Sequence, residues 1–385
     1  MKRRLSAFAL ALTLLARPAG AADAPLPSAL GYKPQDELER SLWLEMDEQE
    51  RELKNSKFVV RDPALNAYVR GVLCRTVGED RCQSARIYIV RTPQFNANMA
   101  PNGMMQVWTG LLLRMRNEAQ LAAVLGHEFG HFERQHSLKQ FKSIRSKADA
   151  MAWLSFLPYG AGLIGQVALL GSVFSFSRDM EREADELSVT YLAQSPYATD
   201  QANRIWEQLR AEQDATAAAR GTKSAKDKNG GFFATHPNTA ERVAYLREAA
   251  TQKPHPEGRN FDAEYRQALV SWWPSLIDDQ VKLNDFGGTS FLLEKLAADG
   301  WTPDLNFARG ELYRARGREG DFAAAATHYR AAIDSGSVLP ECWRGLGMAM
   351  LRNGQQAEGQ AALQKYLELK PDAGDRSIIA MMAGG

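Results

Sequence analysis

Apolar residues recur at Leu121, Val124, Leu125 and Phe129, the three-and-four spacing that gives a helix one buried face. Asn117, with Gln120 three positions on, marks its start as an N-cap pair. Gly126 and Gly130 lie inside this pattern although glycine disfavours helix. They predict that another element approaches the helix backbone closely. A second helical segment begins near Ser177 and runs until Ser195-Pro196 ends it. Strands are predicted at Ile87–Val90 and Gln106–Thr109. Residues 211–231 are polar and rich in Ala, Gly and Lys, and read as a mobile loop.

The C-terminal part has a different regularity. Gly320 and Gly354, Ala332 and Tyr366, and Ile333 and Leu367 are each 34 residues apart. That is the period of tetratricopeptide repeats, paired helices that stack into a concave binding surface. The second copy carries Trp343, Leu346, Gly347, Gly354 and Pro371, and the first runs from about Phe307 to Ala332. Residues 261–300 look helical too and read as a capping or degenerate third repeat. Lys253-Pro254-His255-Pro256-Glu257-Gly258 reads as a linker. The fold expected is mainly α with a small β-sheet. Its parts are a signal peptide at 1–21, a catalytic domain at 22–252, a linker and helical connection at 253–288, and a repeat domain at 289–375.

The candidate chemistry sits on the first helix. Residues 127–131 read His-Glu-Phe-Gly-His. Positions i and i+4 share a helix face, so His127 and His131 can hold one metal ion while Glu128 reaches a water beside it. With an open position, zinc makes a nucleophile of water at neutral pH. A third ligand should come from elsewhere. Glu181 is the choice, with Asp185 four residues on as hydrogen-bond acceptor for a liganding imidazole. Glu183 and Glu186 point elsewhere on that helix. Taken alone, these acids would read as a solvated face paired with Arg178 and Arg182.

His-Glu-Phe-Gly-His followed by Ser-Arg-Asp-Met-Glu-Arg-Glu-Ala-Asp resembles the zinc metallopeptidase family of the CAAX prenyl proteases. That family has soluble periplasmic members of the beta-barrel assembly-enhancing type. Residues 95–112 are similar to its Asn-Ala…Pro-Gly-Gly…Gly-Leu region, and residues 234–246 to its His-Pro…Arg segment. Asn102 replaces a usual glycine, and asparagine tolerates left-handed backbone there. The resemblance implies a gluzincin fold with one Zn²⁺ per chain, held by His127, His131 and Glu181, with Glu128 as general base. His236 and Arg242 are candidates for a fourth ligand or a substrate contact. Asn96, Gln106 and Trp108 are candidates for a strand to which substrate adds. The implied partners are unfolded or misassembled proteins, with the outer-membrane assembly machinery reached through the repeats.

Location follows from the chain's start. Lys2-Arg3-Arg4 precede an apolar run from Leu5 to Ala16 and small residues at Ala19-Gly20-Ala21, the form of a cleaved signal peptide. Removing residues 1–21 takes four of the 47 basic residues and none of the 46 acidic ones, so 43 minus 46 gives −3. No basic field for nucleic acid exists. Cys74 and Cys82 could bridge in an oxidising periplasm, leaving Cys342 as a packed small side chain.

Met151 to Ser177 holds no charge. One membrane crossing there would separate His127 and His131 from Glu181. Two crossings need ~20 residues each. The stretch reads instead as a glycine-hinged segment over the cleft, whose apolar face could make a peripheral membrane contact. Two rivals remain: a chaperone or scaffold with a structural or latent zinc site, and an integral-membrane prenyl-type protease, against which the missing spans argue.

Overall fold

The computed structural model describes residues 32–143, 176–224, 236 and 240–384. The signal-peptide segment, residues 151–175 of the uncharged stretch and residues 225–231 of the polar stretch lie outside the described residues.

Helix α1 (Glu37–Asn55) is capped by Asp36, whose side chain accepts from the Glu39 amide. Leu42, Met46 and Leu53 recur at helical spacing. They bury α1 against Val90, Met104 and Trp108 of a three-stranded sheet. The sheet runs β1 (Arg86–Val90), β3 (Met104–Trp108), β2 (Ala97–Met99) in spatial order; β1–β3 is parallel and β2–β3 antiparallel. Thr109 does not belong to a strand: it starts α4 (Thr109–Arg114). β2 was not foreseen, because three residues are too few to show alternation. The left-handed position in its turn is Gly103 (φ 91°), not Asn102. A Cβ on Gly103 would lie 2.3 Å from the Ser84 carbonyl oxygen. Asn102 serves the turn differently, donating to Asp47 and accepting from the Met104 amide.

Below the sheet lies the main core. Helix α2 (Pro63–Val77), α5 (Glu118–Glu133), α7 (Arg178–Ala193) and α8 (Gln201–Arg220) bury Val69, Leu73, Leu121, Leu125, Val189 and Ile205 together. Short helices α3 (Glu79–Cys82) and α6 (His136–Ser143) flank α2 and α5. The two glycines of α5 do what their placement predicts. A Cβ on Gly130 would sit 3.2 Å from the Ala184 backbone, and one on Gly126 would meet Ser188 and Tyr191. Small residues let α7 press onto α5. Residues 211–220 are not a loop. Alanine and glutamine favour helix, so α8 continues to Arg220 and stops at left-handed Gly221. Cys74 and Cys82 form a disulfide, and Cys342 is buried and unpaired.

The remaining helices are α9 (Ala240–Gln252), α10 (Asp262–Leu269), α11 (Trp273–Val281), α12 (Phe286–Leu296), α13 (Pro303–Arg316), α14 (Asp321–Asp334), α15 (Glu341–Arg352), α16 (Gln356–Leu369) and α17 (Arg376–Met382). From α11 on they pack as successive hairpins around a second core. Gly320 and Gly354 occupy equivalent left-handed turns, φ 79° and 81°. Tyr265 and Leu269 of α10 belong to the first core, and Leu276 and Ile277 of α11 to the second. No described helix is long and apolar enough to cross a membrane.

Candidate metal centre

Asn117 caps α5 by accepting from the Gln120 amide, as the sequence predicts. This fixes the phase of the helix, so that His127 and His131 point to the same side. Helix α7 brings Glu181 across to them. His236 arrives from the far side of the chain. Donor atoms of His127, His131, Glu181 and His236 all lie within 4.8 Å of one another, and all four residues are buried.

The spacing of these atoms tests whether a metal fits. His127 Nε2 is 3.1 Å from His131 Nε2 and 3.3 Å from His236 Nδ1. Glu181 Oε1 is 2.9 Å from His236 Nδ1 and 3.4 Å from His131 Nε2. A tetrahedron with metal–ligand bonds of 2.0–2.1 Å has edges of about 3.3 Å. The donor set therefore fits a tetrahedral ion of zinc's size.

Each imidazole is oriented from behind. His127 Nδ1 lies 2.8 Å from Asp185 Oδ1. Asp185 also accepts two 2.7 Å hydrogen bonds from Arg242 and one from Tyr245. Burial opposes the Asp185 charge, but Arg242 and His127 outweigh it and hold the carboxyl down at about 2. His131 Nδ1 meets His136 Nδ1 at 2.9 Å, and His136 Nε2 meets Glu183 at 3.0 Å. Phe176 stacks on the His131 ring at 3.9 Å. Burial pushes the His131 pKa well below the ordinary range, so the ring is the neutral imidazole a metal needs. Glu181 is opposed by burial too, yet His236 and Arg242 keep it ionised. For His236, burial disfavours the charged ring, and Glu181 and Glu128 more than compensate, raising its pKa.

Glu128 differs from the others. Its Oε1 is buried and accepts no hydrogen bond among the described residues; His236 Nε2 is 3.8 Å away. Burial raises its pKa. An acceptor left unsatisfied in the interior marks a group kept free for a proton.

Two expectations need correction. Arg242 is neither a fourth ligand nor a free substrate contact. Its guanidinium is bound to Asp185, lies 3.0 Å from Glu181 Oε2 and stacks 3.9 Å over Trp206. It holds the acids that hold the histidines, and a permanently protonated group cannot ligate. Gln106 and Trp108 cannot receive a substrate strand, because β3 is the central strand, paired on both sides. Asn96 is also engaged, its carbonyl accepting from the Trp108 amide at 3.0 Å. The edge of β1 is covered by residues 58–60. The edge left without a strand neighbour among the described residues belongs to β2, which packs beside α5.

Sequence reasoning passed over His136. It stands five residues beyond His131, off the shared face of one helix. The chain breaks α5 after Glu133 and turns through left-handed Gln135 (φ 53°), which folds His136 back. A non-glycine in that conformation was the available signal, and it is visible only in the backbone.

Comparison with known proteins agrees with this geometry. Residues 73–250 match the pattern of Peptidase family M48. This stretch, a little under half of the chain, is similar to a metallopeptidase domain of that family. It embraces every ligand candidate and the orienting shell. Its relatives include the mitochondrial metalloendopeptidase OMA1 of Schizosaccharomyces pombe, 30% identical over 47% of this chain and 52% of that protein. A putative beta-barrel assembly-enhancing protease of Vibrio cholerae is 26% identical over 53% of this chain and 43% of its own. Metalloprotease YcaL of Escherichia coli is 28% identical over 42% of this chain and 60% of its own. The matches thus span about half the length of these relatives.

Proposed function

We propose that the chain is a periplasmic zinc endopeptidase that cuts misfolded or unassembled proteins, outer-membrane proteins among them, with the helical repeats engaging partner or substrate. The observation that carries this reading is the tetrahedral donor set with the unsatisfied Glu128 oxygen beside it. Zinc held there would polarise a scissile carbonyl and acidify water. The protein's own residues do the rest. Glu128 takes a proton from the attacking water and returns it to the leaving amine. Asp185, Arg242 and His136 keep the imidazoles aimed. The open edge of β2 offers backbone groups for an extended chain. The compartment is supported by the basic-then-apolar start of the sequence and by the Cys74–Cys82 disulfide, which belongs to an oxidising milieu. The beta-barrel assembly named in the Vibrio relative supports the substrate class.

A latent state is favoured by one observation: His236 stands where a fourth ligand would. With His236 in place the site is closed, as structural zinc sites are. The enzyme then acts only when the His236 imidazole leaves that position.

Glu128→Gln separates the reading from a scaffold role. It should keep stoichiometric zinc and lose cleavage of an unfolded outer-membrane protein by about 10²–10⁴-fold. Full activity in the zinc-loaded variant would remove Glu128 from the chemistry.

A further inference from the structure

The metallopeptidase domain and the first repeat helices enclose a cavity of about 210 Å³, away from the metal ligands. Its floor is apolar: Leu112, Met115, Leu269 and Leu305. One wall is cationic, with Arg116 before α5 and Arg204 on α8. Arg116 is the unusual group. Two residues earlier, Arg114 is paired with Glu212 at 2.7 Å. Arg116 has no ion pair among the described residues, and its Nε is buried without an acceptor. The charge that acts on it is Arg204, of the same sign. Arg204 already has its own carboxylate, Asp200, at 2.7 Å.

Arg116 as a whole is half-buried; a cation partly withdrawn from water without a partner is costly, and an arriving anion removes that cost. The amino ends of two helices, capped by Asn117 and Thr302, border the same space and favour negative charge. Acids also line the cavity. Asp304 stands on the repeat side, and its carbonyl accepts from the Trp273 indole. None of them pairs with Arg116 among the described residues. They are acceptors for N–H donors.

We propose that this cavity binds the C-terminal residue of a polypeptide. The α-carboxylate sits on Arg116 and Arg204. The apolar last side chain lies on the leucine floor, and a main-chain N–H faces Asp304. A fatty acid would supply carboxylate and apolar body but no donor for the acidic side. The site does not depend on the cleavage chemistry. It lies at the start of α5, ten residues from His127, roughly 15 Å along the helix axis.

Calorimetry on the full chain tests this with an acetylated tripeptide ending in leucine as probe. The free acid should bind, and its C-terminal amide should bind about tenfold more weakly or worse. Arg116→Met should lose the same factor for the acid and change nothing for the amide, with its melting temperature and zinc content as folding controls. Octanoate should bind more weakly than the peptide acid. Equal binding of acid and amide, no binding of either, or octanoate binding as tightly as the peptide would each overturn the proposal. The acid–amide comparison needs no variant, so misfolding of Arg116→Met cannot obscure the outcome.

Discussion

At the scale of single residues, the centre is a set of side chains each held by another. His127 is fixed by Asp185, Asp185 by Arg242 and Tyr245, and His131 by His136 and Glu183. Glu128 Oε1 and Glu181 Oε2 are buried without a hydrogen bond among the described residues, but Glu181 Oε2 has Arg242 Nη1 at 3.0 Å. His236 shares hydrogen-bonding distance with His127 and Glu181 and so can compete with a water for the metal. His236→Ala should therefore raise basal peptide cleavage severalfold at unchanged zinc content, read by a fluorogenic peptide and metal analysis. No gain in activity would leave His236 as a packing residue. Much of this was legible from spacing. Two imidazoles four apart and two acids four apart each had to share a helix face. His136 and Arg242 were not, because their positions depend on a left-handed turn at Gln135 and on where α9 docks.

At the scale of elements, short-range patterns reported helices well and the sheet poorly. The 34-residue period located the paired glycine turns at Gly320 and Gly354, since each requires a left-handed backbone. The run Gln106–Thr109 read as a strand but did not give its neighbours, and the neighbours decide which edge is open. Residues 211–220 read as loop through their polarity, yet their helix propensity prevailed once α8 packed against α12. Glu50 ties α1 to the sheet through Arg86 at 2.7 Å and Tyr88 at 2.6 Å. Burial disfavours its charge, but these partners hold its pKa down at about 2 from 4.5. A carboxyl depressed in the folded state stabilises fully above its unfolded pKa and loses that contribution as pH falls through the folded one. Between pH 4.5 and 2 the melting temperature of the unaltered chain should fall more than that of Glu50→Gln. Parallel melting curves would show that the latch adds nothing.

At the scale of the whole molecule, the two cores are joined more closely than the sequence suggests. The Pro-rich stretch at 253–258 looks like a boundary, yet the chain returns to the first core after it. Asn260 accepts from the Ala119 amide, Tyr265 donates to the Leu112 carbonyl, and Leu269 is buried with them. A chain ending at Pro254 should melt roughly 10 °C or more below one ending at Val270, because two buried side chains are lost. Equal melting temperatures would place the boundary at the linker after all. The central claim is that α5, α7 and the segment at His236 build one tetrahedral zinc site. Anomalous scattering at the zinc edge from a crystal of the full chain tests it most directly. The account predicts one peak about 2.0–2.2 Å from His127 Nε2, His131 Nε2 and a Glu181 oxygen. No peak there, or a peak held by other residues, would contradict it.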